Sequence, residues 1–246
     1  MEANPNPGGQ TPQQQQRAQL QLNLLGMHEQ TKVVTQQLHI GVWSVTGGGV
    51  PGDVAEFGTM SGMTAQVLAM GLAQMTVPNQ PIRKLHLFDS FEGLPEATQA
   101  PDTESPHVKL GQWKPGGCTG ISAEQLGQAV GRFLPAERVA IHAGWYSETV
   151  TQLPSDTRFA LLHVDCDMYS STMDALVPCF ENGWASAGAH LFFDDWNCNR
   201  ADPRFGQRKA WAELTERFDI AFSSGGDYGA FAHKMIVHGY TGCPED

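Results

Sequence analysis

The sequence contains no run of about 18 apolar residues, the length that a helix needs to cross a bilayer. Its N-terminus also lacks the basic start and apolar stretch of a secretory signal peptide. The five cysteines are odd in number and show no C-x-x-C spacing, which argues against a disulfide framework. We therefore expect a cytoplasmic protein with free thiols and no membrane partner.

Positive charge is also scarce. Lysine and arginine number 15 against 26 aspartates and glutamates, so the formal net charge is -11. A surface of this sign repels a phosphate backbone. We therefore expect no nucleic-acid partner.

The length of 246 residues, of which 41% are hydrophobic, suits one large α/β domain better than two. Residues 1–22 are rich in glutamine and proline and have too little apolar surface to offset the entropy of ordering, so they predict a disordered tail. Residues 23–246 then form a single domain. Its first part, at about 23–50, is interpreted as a helical or lid segment near the bound substrate.

From residue 53 onward, short apolar runs alternate with longer segments of helical period, which indicates β-α-β units around a mostly parallel sheet. Four helices are expected. One begins near Ser61, a second begins at a capping box formed by Ser122 and Gln125, and two more lie near residues 173–180 and 211–218. Two further strands, at 220–222 and 235–237, are expected to form a C-terminal antiparallel hairpin around Gly225-Gly226. The predicted parallel strands are residues 54–57, 85–88, 139–142, 159–164 and 190–193.

An acidic residue lies at or directly after the carboxyl end of most of these predicted strands. Asp165-Cys166-Asp167 follows the fourth strand and Asp194-Asp195 the fifth. Four carboxylates at adjacent strand ends repel one another unless a cation or shared protons compensate. Oxygen ligands without a nearby pair of Cys or His favour Mg²⁺, with Ca²⁺ or Mn²⁺ as alternatives, and one of the acids could act as a base instead. The alternative is that these four acids cap helices and face water.

Two other strand ends carry acids that suit a nucleoside-containing cofactor. Glu56 precedes a glycine turn whose spacing is not the G-x-G-x-x-G of dinucleotide folds, which disfavours an NAD-dependent reductase and suits a cofactor with a cationic amino-acid group. Asp89 can accept the hydroxyls of a ribose, in NAD and S-adenosylmethionine alike. Alternatively, the segment after Glu56 is only a connecting turn, and Asp89 only caps a turn or helix.

Five segments together resemble the macrocin O-methyltransferase family, which methylates sugars of antibiotics. The resemblance implies a class I methyltransferase, Rossmann-like fold with S-adenosylmethionine as methyl donor and Mg²⁺ as metal. It also implies a homo-oligomer whose small-molecule substrate is a glycoside, methylated on a hydroxyl of a (deoxy)sugar. The segments are Val54-Ala55-Glu56-Phe57-Gly58, Asp89-Ser90-Phe91-Glu92-Gly93-Leu94-Pro95, Gly144-Trp145-Tyr146, Asp165-Cys166-Asp167-Met168-Tyr169-Ser170-Ser171-Thr172 and Asp194-Asp195-Trp196.

The same resemblance implies roles for individual residues. Asp165, Asp194 and Asp195 would ligate the metal, and Asp167 would be the general base. Two departures, Cys166 in place of the family's glycine and Trp196-Asn197-Cys198 after the paired aspartates, fall where the sugar would sit and leave its identity unspecified. The implied cofactor-binding residues are Glu56, Gly58, Thr59, Ser61, Asp89, Ser90, Phe91, Gly144, Trp145 and Asp165.

Other classes of protein use similar acids. A haloacid-dehalogenase-type phosphatase needs a lysine between the two acidic motifs, and none occurs between Cys166 and Phe193. A Mn²⁺-dependent glycosyltransferase could hold a nucleotide sugar through Asp165-Cys166-Asp167, and it is the main alternative. The strand histidines His142, His163 and His190 are interpreted as structural.

Overall fold

The computed structural model describes residues 12–75 and 82–244, with side chains from residue 29 onward. Seven strands form one sheet in the order β3-β2-β1-β4-β5-β7-β6, with β1 to β5 parallel and β7 antiparallel to its neighbours. This topology confirms the predicted mostly parallel sheet with a C-terminal hairpin. The strands are β1 (Asp53–Phe57), β2 (Leu85–Asp89), β3 (Val139–Ala143), β4 (Phe159–Val164), β5 (Ala185–Phe193), β6 (Ala221–Tyr228) and β7 (Ala232–Gly239).

Eight helices lie in the described part of the chain. One apolar core joins the sheet to α1, α2 and α5, and a second joins its other face to α7 and α8. None of the helices within the described ranges is long and apolar enough to cross a membrane. The helices are α1 (Pro12–Gly47), α2 (Met63–Gln74), α3 (Ala100–Thr103), α4 (Pro106–Lys109), α5 (Ala123–Val130), α6 (Tyr146–Thr149), α7 (Tyr169–Glu181) and α8 (Gly206–Phe218).

The hairpin differs from its prediction in where it turns. Gly225 and Gly226 lie inside β6, and the chain reverses at residues 229–231 instead. The pairing of β6 with β7 shifts its register between Ser224 and Gly226. Such an irregularity admits glycine within a strand, so the glycine pair marks a bulge and the predicted turn position is wrong.

The N-terminal segment forms a single long helix. Residues 12–22 are helical, so the predicted disordered tail is wrong there, while residues 1–11 lie outside the described residues. Glutamine, arginine, alanine and leucine favour helix even where they bury little surface. The expected helical segment at 23–50 is present through Gly47, and Val34, Leu38, Val42 and Val45 on it are buried in the core. Residues 34–45 of this stretch therefore form part of the core, and the lid stays a prediction for the rest.

Helix α1 approaches the sheet closely at Gly41. A Cβ atom at this position would lie 2.6 Å from Cζ of Phe192 and 3.0 Å from Cδ1 of Leu161. Both of these side chains are fully buried, so neither can turn away into solvent. The absence of a side chain at Gly41 therefore sets the distance between α1 and the sheet.

We expect Gly41→Ala to lower the free energy of unfolding by about 1–2 kcal/mol, because an overpacking cost of up to about 3 kcal/mol outweighs the gain in helix propensity of about 1 kcal/mol. Urea denaturation of purified protein would measure it. Gly47→Ala is the control, since a Cβ atom there meets nothing within 4 Å. An unchanged or higher stability of Gly41→Ala would show that α1 can move away from the sheet without cost.

Candidate active site

The carboxyl ends of β4 and β5 bring three predicted acids together. Asp165 directly follows β4, and Asp194 and Asp195 follow β5. The backbone N–H of Asp194 donates to the carbonyl of Val164 (3.0 Å), which continues the pairing of the two strands beyond their ends. One carboxylate oxygen from each of the three acids lies within 4.8 Å of the others.

Burial and mutual repulsion disfavour the charged forms of these acids. Burial, followed by the charges of Asp194 and Asp195, raises the pKa of Asp165 well above its usual range. Burial, followed by the charges of Asp167 and Asp194, does the same to the pKa of Asp195. Such a cluster is stable in its charged form only when positive charge is brought to it.

Asp195 is held by a residue that the sequence does not reveal. Gln207 in the first turn of α8 is buried, and its Nε2 donates to the carbonyl of Val164 (2.8 Å). Its Oε1 accepts from the backbone N–H of Asp195 (2.9 Å). A glutamine at the start of an amphipathic helix has no distinguishing pattern, so only the packing of α8 on β4 identifies it.

Asp167 lies beside the three clustered acids. Its backbone is left-handed, with φ of 60°, and its N–H donates to Oδ2 of Asp195 (3.0 Å). Burial and the charge of Asp194 raise the pKa of Asp167 to about 7, while a hydrogen bond from the thiol of Cys118 lowers it. Sequence analysis does not single out Cys118, since a lone cysteine in a loop carries no pattern.

A cavity of about 390 Å³ opens over this edge of the sheet. It connects the acids at the end of β4 with the end of β2. Eight of the residues expected at the site from sequence line it: Gly58, Asp89, Ser90, Gly144, Trp145, Asp165, Asp167 and Asp194. The cavity is in the size range of small-molecule sites, and it lies at the strand ends where such sites occur in parallel sheets.

Two other predicted cofactor residues support Asp89 instead of lining the cavity. The backbone N–H and hydroxyl of Thr59 donate to Oδ2 of Asp89 at 2.7 and 2.8 Å. The backbone N–H of Phe91 donates to Oδ1 at 2.7 Å. Thr59 and Phe91 therefore fix the orientation of this carboxylate at the cavity wall.

Glu56 and Ser61 are also not among the residues that line the cavity. Ser61 is exposed in the turn that precedes α2. Glu56 is completely buried, and its Oε1 lies 2.9 Å from Nδ1 of the equally buried His163. Strand pairing turns the side chain of Glu56 toward a histidine that is 107 positions away in sequence, and its contact with the cofactor stays a prediction.

The match to a protein family covers most of the chain. The family described as macrocin-O-methyltransferase (TylF) matches residues 13–220. Demethyldecarbamoylnovobiocin O-methyltransferase of Streptomyces niveus is 29% identical over 156 residues, which are 63% of this chain and 56% of that protein. Mycinamicin III 3''-O-methyltransferase of Micromonospora griseorubida is 29% identical over 149 residues, 60% of this chain and 56% of that protein. The chain thus spans little more than half the length of these curated relatives.

Solved structures show the same fold. The O-methyltransferase NovP has a TM-score of 0.66 at 24% identity, covering 82% of this chain and 78% of its own. The calicheamicin methyltransferase CalS11 has a TM-score of 0.62 at 17% identity, covering 96% and 99%. These similarities, with the strand order above, confirm the class I methyltransferase fold. Together with the family match over residues 13–220, they lead to one conclusion: the chain belongs to the macrocin-O-methyltransferase family.

Proposed function

We propose that this protein transfers a methyl group from S-adenosylmethionine to a hydroxyl of a sugar on a glycosylated natural product. One observation carries the proposal: a single cavity joins Asp89, which suits a ribose, to the acids after β4 and β5. The relatives named above are sugar or antibiotic methyltransferases by their names. The methyl donor and the sugar would meet where the two parts of this cavity join.

The cluster of Asp165, Asp194 and Asp195 fits a hard divalent cation such as Mg²⁺. It offers only oxygen atoms at mutual distances within 4.8 Å. Among the described residues, Oδ1 of Asp194 is buried without a hydrogen-bond partner, as expected of an atom reserved for a ligand. A bound cation supplies the positive charge that the acids need and makes a nearby sugar hydroxyl more acidic.

Asp167 is the proposed general base. Its carboxylate lines the cavity next to the three proposed metal ligands, and its own backbone N–H is tied to Asp195. It is therefore placed to accept the proton of the sugar hydroxyl while that oxygen attacks the methyl group. This hydrogen bond holds the backbone of Asp167 next to Asp195.

Asp89 is proposed to bind the ribose. Its Oδ2 accepts three hydrogen bonds from Thr59 and Met60, whereas Oδ1 accepts one, from Phe91, among the described residues. Each carboxylate oxygen has about two lone-pair sites, so Oδ2 is fully used. Oδ1 therefore keeps acceptor capacity for a ribose hydroxyl. Gly144 and Trp145, at the end of β3, form the adjoining wall where the base of the nucleoside would lie.

The glycosyltransferase alternative has no support in the comparisons. The matching family and the named relatives are methyltransferases. That alternative also leaves Asp194 and Asp195 without a role, although both belong to the three-acid cluster. We therefore propose methyl transfer alone.

Ligand binding tests the methyl donor directly. We expect S-adenosylhomocysteine, but neither UDP-sugars nor NAD, to raise the melting temperature, because a ligand that binds only the folded state stabilises it by about 2.7 kcal/mol at 100 times its Kd. A thermal-shift panel would measure this. Stabilisation by a UDP-sugar alone would contradict the proposal. A screen of glycosides for one added methyl, by mass spectrometry, would then identify the acceptor.

Asp167→Asn tests the base. We expect kcat to fall about 10²- to 10⁴-fold, because the amide cannot accept the proton. Affinities for S-adenosylhomocysteine and Mg²⁺ should stay within about twofold, since asparagine also tolerates a left-handed backbone. Asp219→Asn is the matched control, because this exposed acid after α8 is also left-handed, with φ of 51°. A turnover close to that of the wild type would exclude Asp167 as the base.

Asp165→Asn tests the metal. In the presence of a chelator, we expect the variant to melt at a higher temperature than the wild type. The substitution removes one negative charge from a cluster of buried acids that repel one another. With saturating Mg²⁺ the order should reverse, since only the wild type gains the binding energy of the ion. Differential scanning calorimetry would measure the melting temperatures of both proteins, with the chelator and with Mg²⁺. Methyl transfer that continues at full rate in the chelator would refute the metal requirement.

A further inference from the structure

The first turn of α7 is capped by a residue from another part of the chain. Met168 occupies the position that usually carries a capping side chain, and it makes no such hydrogen bond. Instead, Oδ1 of Asp102 accepts from the backbone N–H of Tyr169 (2.8 Å), and Oδ2 accepts from that of Ser170 (3.1 Å). The N–H groups of a first turn have no partner within their own helix. Asp102 therefore supplies the cap that Met168 lacks.

Asp102 is a buried acid in α3, only 2% exposed and 67 positions before Tyr169 in sequence. Burying a carboxylate is costly unless it is hydrogen-bonded, and here both of its oxygens accept from α7. A serine, threonine, asparagine or aspartate at position 168 would cap the helix locally, without a buried acid from a distant segment. The long-range contact therefore points to more than the stability of α7.

The capped end of α7 is the end that adjoins Asp167. Asp167 directly precedes Met168, and its backbone N–H donates to Oδ2 of Asp195 (3.0 Å). Met168 is itself buried in an apolar cluster with Leu94 and Trp113. A contact that fixes the first turn of α7 thus also fixes the backbone of Asp167, and with it one of the contacts that orient Asp195.

The neighbouring helix α4 holds the loop that carries Asp195. The backbone N–H of His107 in α4 donates to Oδ1 of Asn199 (3.0 Å). In return, the backbone N–H of Asn199 donates to Nδ1 of His107 (3.0 Å). Asn199 is buried and lies four residues after Asp195. The α3–α4 segment (residues 100–109) therefore contacts both loops that carry the acids.

We infer that Asp102 is a positioning residue for Asp167. By capping α7 from another segment it fixes the backbone of Asp167 and, through the N–H of that residue, the carboxylate of Asp195. The contact between His107 and Asn199 ties the second loop to the same segment, which holds the two loops together against the repulsion of their acids. This inference rests on the proposed function, in which Asp167 is the base and Asp195 a metal ligand.

The rival explanation is that Asp102 stabilises α7 and does nothing more. The loss of a purely structural cap lowers the melting temperature, but well below that temperature the folded protein binds and reacts as before. The loss of a positioning residue also displaces Asp167 and Asp195 in the folded protein. Mg²⁺ affinity and kcat, measured well below the melting temperature, therefore separate the two explanations.

The test compares Asp102→Asn with a matched cap variant, Ser122→Ala. Asparagine keeps the size of the side chain but offers one acceptor oxygen in place of two. Ser122 caps α5, where its Oγ accepts from the backbone N–H of Gln125 (3.2 Å). We expect both variants to have a lower melting temperature, because each weakens a helix cap.

Only Asp102→Asn should change the site. We expect it to weaken Mg²⁺ binding about 10-fold in calorimetric titration, because a group that supports a metal ligand is loosened. We expect kcat to fall about 10- to 100-fold on the glycoside that the mass-spectrometric screen identifies, because a displacement of about 1 Å can cost about 10² in rate. The Kd for S-adenosylhomocysteine and the KM for S-adenosylmethionine should stay within about twofold, since Asp102 does not line the cavity. Ser122→Ala should leave all four values unchanged.

The outcomes separate the inference from the function on which it rests. If Asp102→Asn leaves either the Mg²⁺ affinity or kcat at the wild-type value, the inference is overturned while the proposed function stands. If the wild type binds S-adenosylhomocysteine but no Mg²⁺, the metal part of the function fails and kcat alone decides on the inference. If no glycoside is methylated, methyl transfer to a sugar fails and Mg²⁺ affinity decides. If the wild type shows neither activity, the inference fails with the function.

A second variant covers the case in which Asp102→Asn does not fold. His107→Ala removes the side-chain contact with Asn199 and leaves the cap of α7 in place. We expect it to weaken Mg²⁺ binding at least about threefold, because the loop after Asp195 loses its tie to α4. Wild-type Mg²⁺ affinity and kcat in this variant would overturn the inference.

Discussion

Repulsion among buried carboxylates at the ends of β4 and β5 is the constraint on which the rest of this site depends. Burial raises the pKa of all four acids, Asp165, Asp167, Asp194 and Asp195. The negative charges of the neighbouring acids raise the pKa of Asp165, Asp167 and Asp195 further. Like charges that are buried close together push the group apart unless hydrogen bonds or a cation hold it. The polar contacts around the cluster therefore fix distances that would otherwise open through repulsion.

The sheet brings the two halves of the cavity to one place. The end of β1 lies between β2, which carries Asp89, and β4, which carries Asp165. Gly58 follows β1 with φ of 92°, and a Cβ atom there would collide with the carbonyl oxygen of Asp165. Only glycine permits this approach. The position of the proposed ribose contact relative to the acid cluster is thus set by backbone packing at Gly58.

Sequence alone predicts the strands and their terminal acids well, because buried parallel strands are continuous apolar runs that stop at a polar residue. It misses the first part of β5, where small residues at 185–189 carry no strand pattern. It also does not reveal that Glu56 and His163 contact each other. Their pairing, like that of Gln207 with Asp195, depends on strand register and helix docking between distant segments, which no local pattern encodes.

Sequence analysis places Cys166 and the segment Trp196-Asn197-Cys198, which depart from the family pattern, where the sugar would sit. Their contacts in the structure revise that interpretation. Trp196 is buried, stacks on His233 at 5.0 Å between ring centroids and lies under the guanidinium of Arg208 at 4.9 Å. The thiol of Cys198 contacts Oδ1 of Asp195 at 3.7 Å. Neither residue is among those that line the cavity, whereas Cys166 is.

Cys198 therefore supports Asp195, and neither Trp196 nor Cys198 lies in the wall of the cavity. On the proposed function, selection falls to side chains that line the cavity but do not belong to the acid cluster. Met60, after β1, and Leu94, after β2, meet this condition. Met60 is half exposed, so a larger acceptor can displace it at little cost in packing, whereas Leu94 is buried against Trp113 and Met168 and sets a firmer limit.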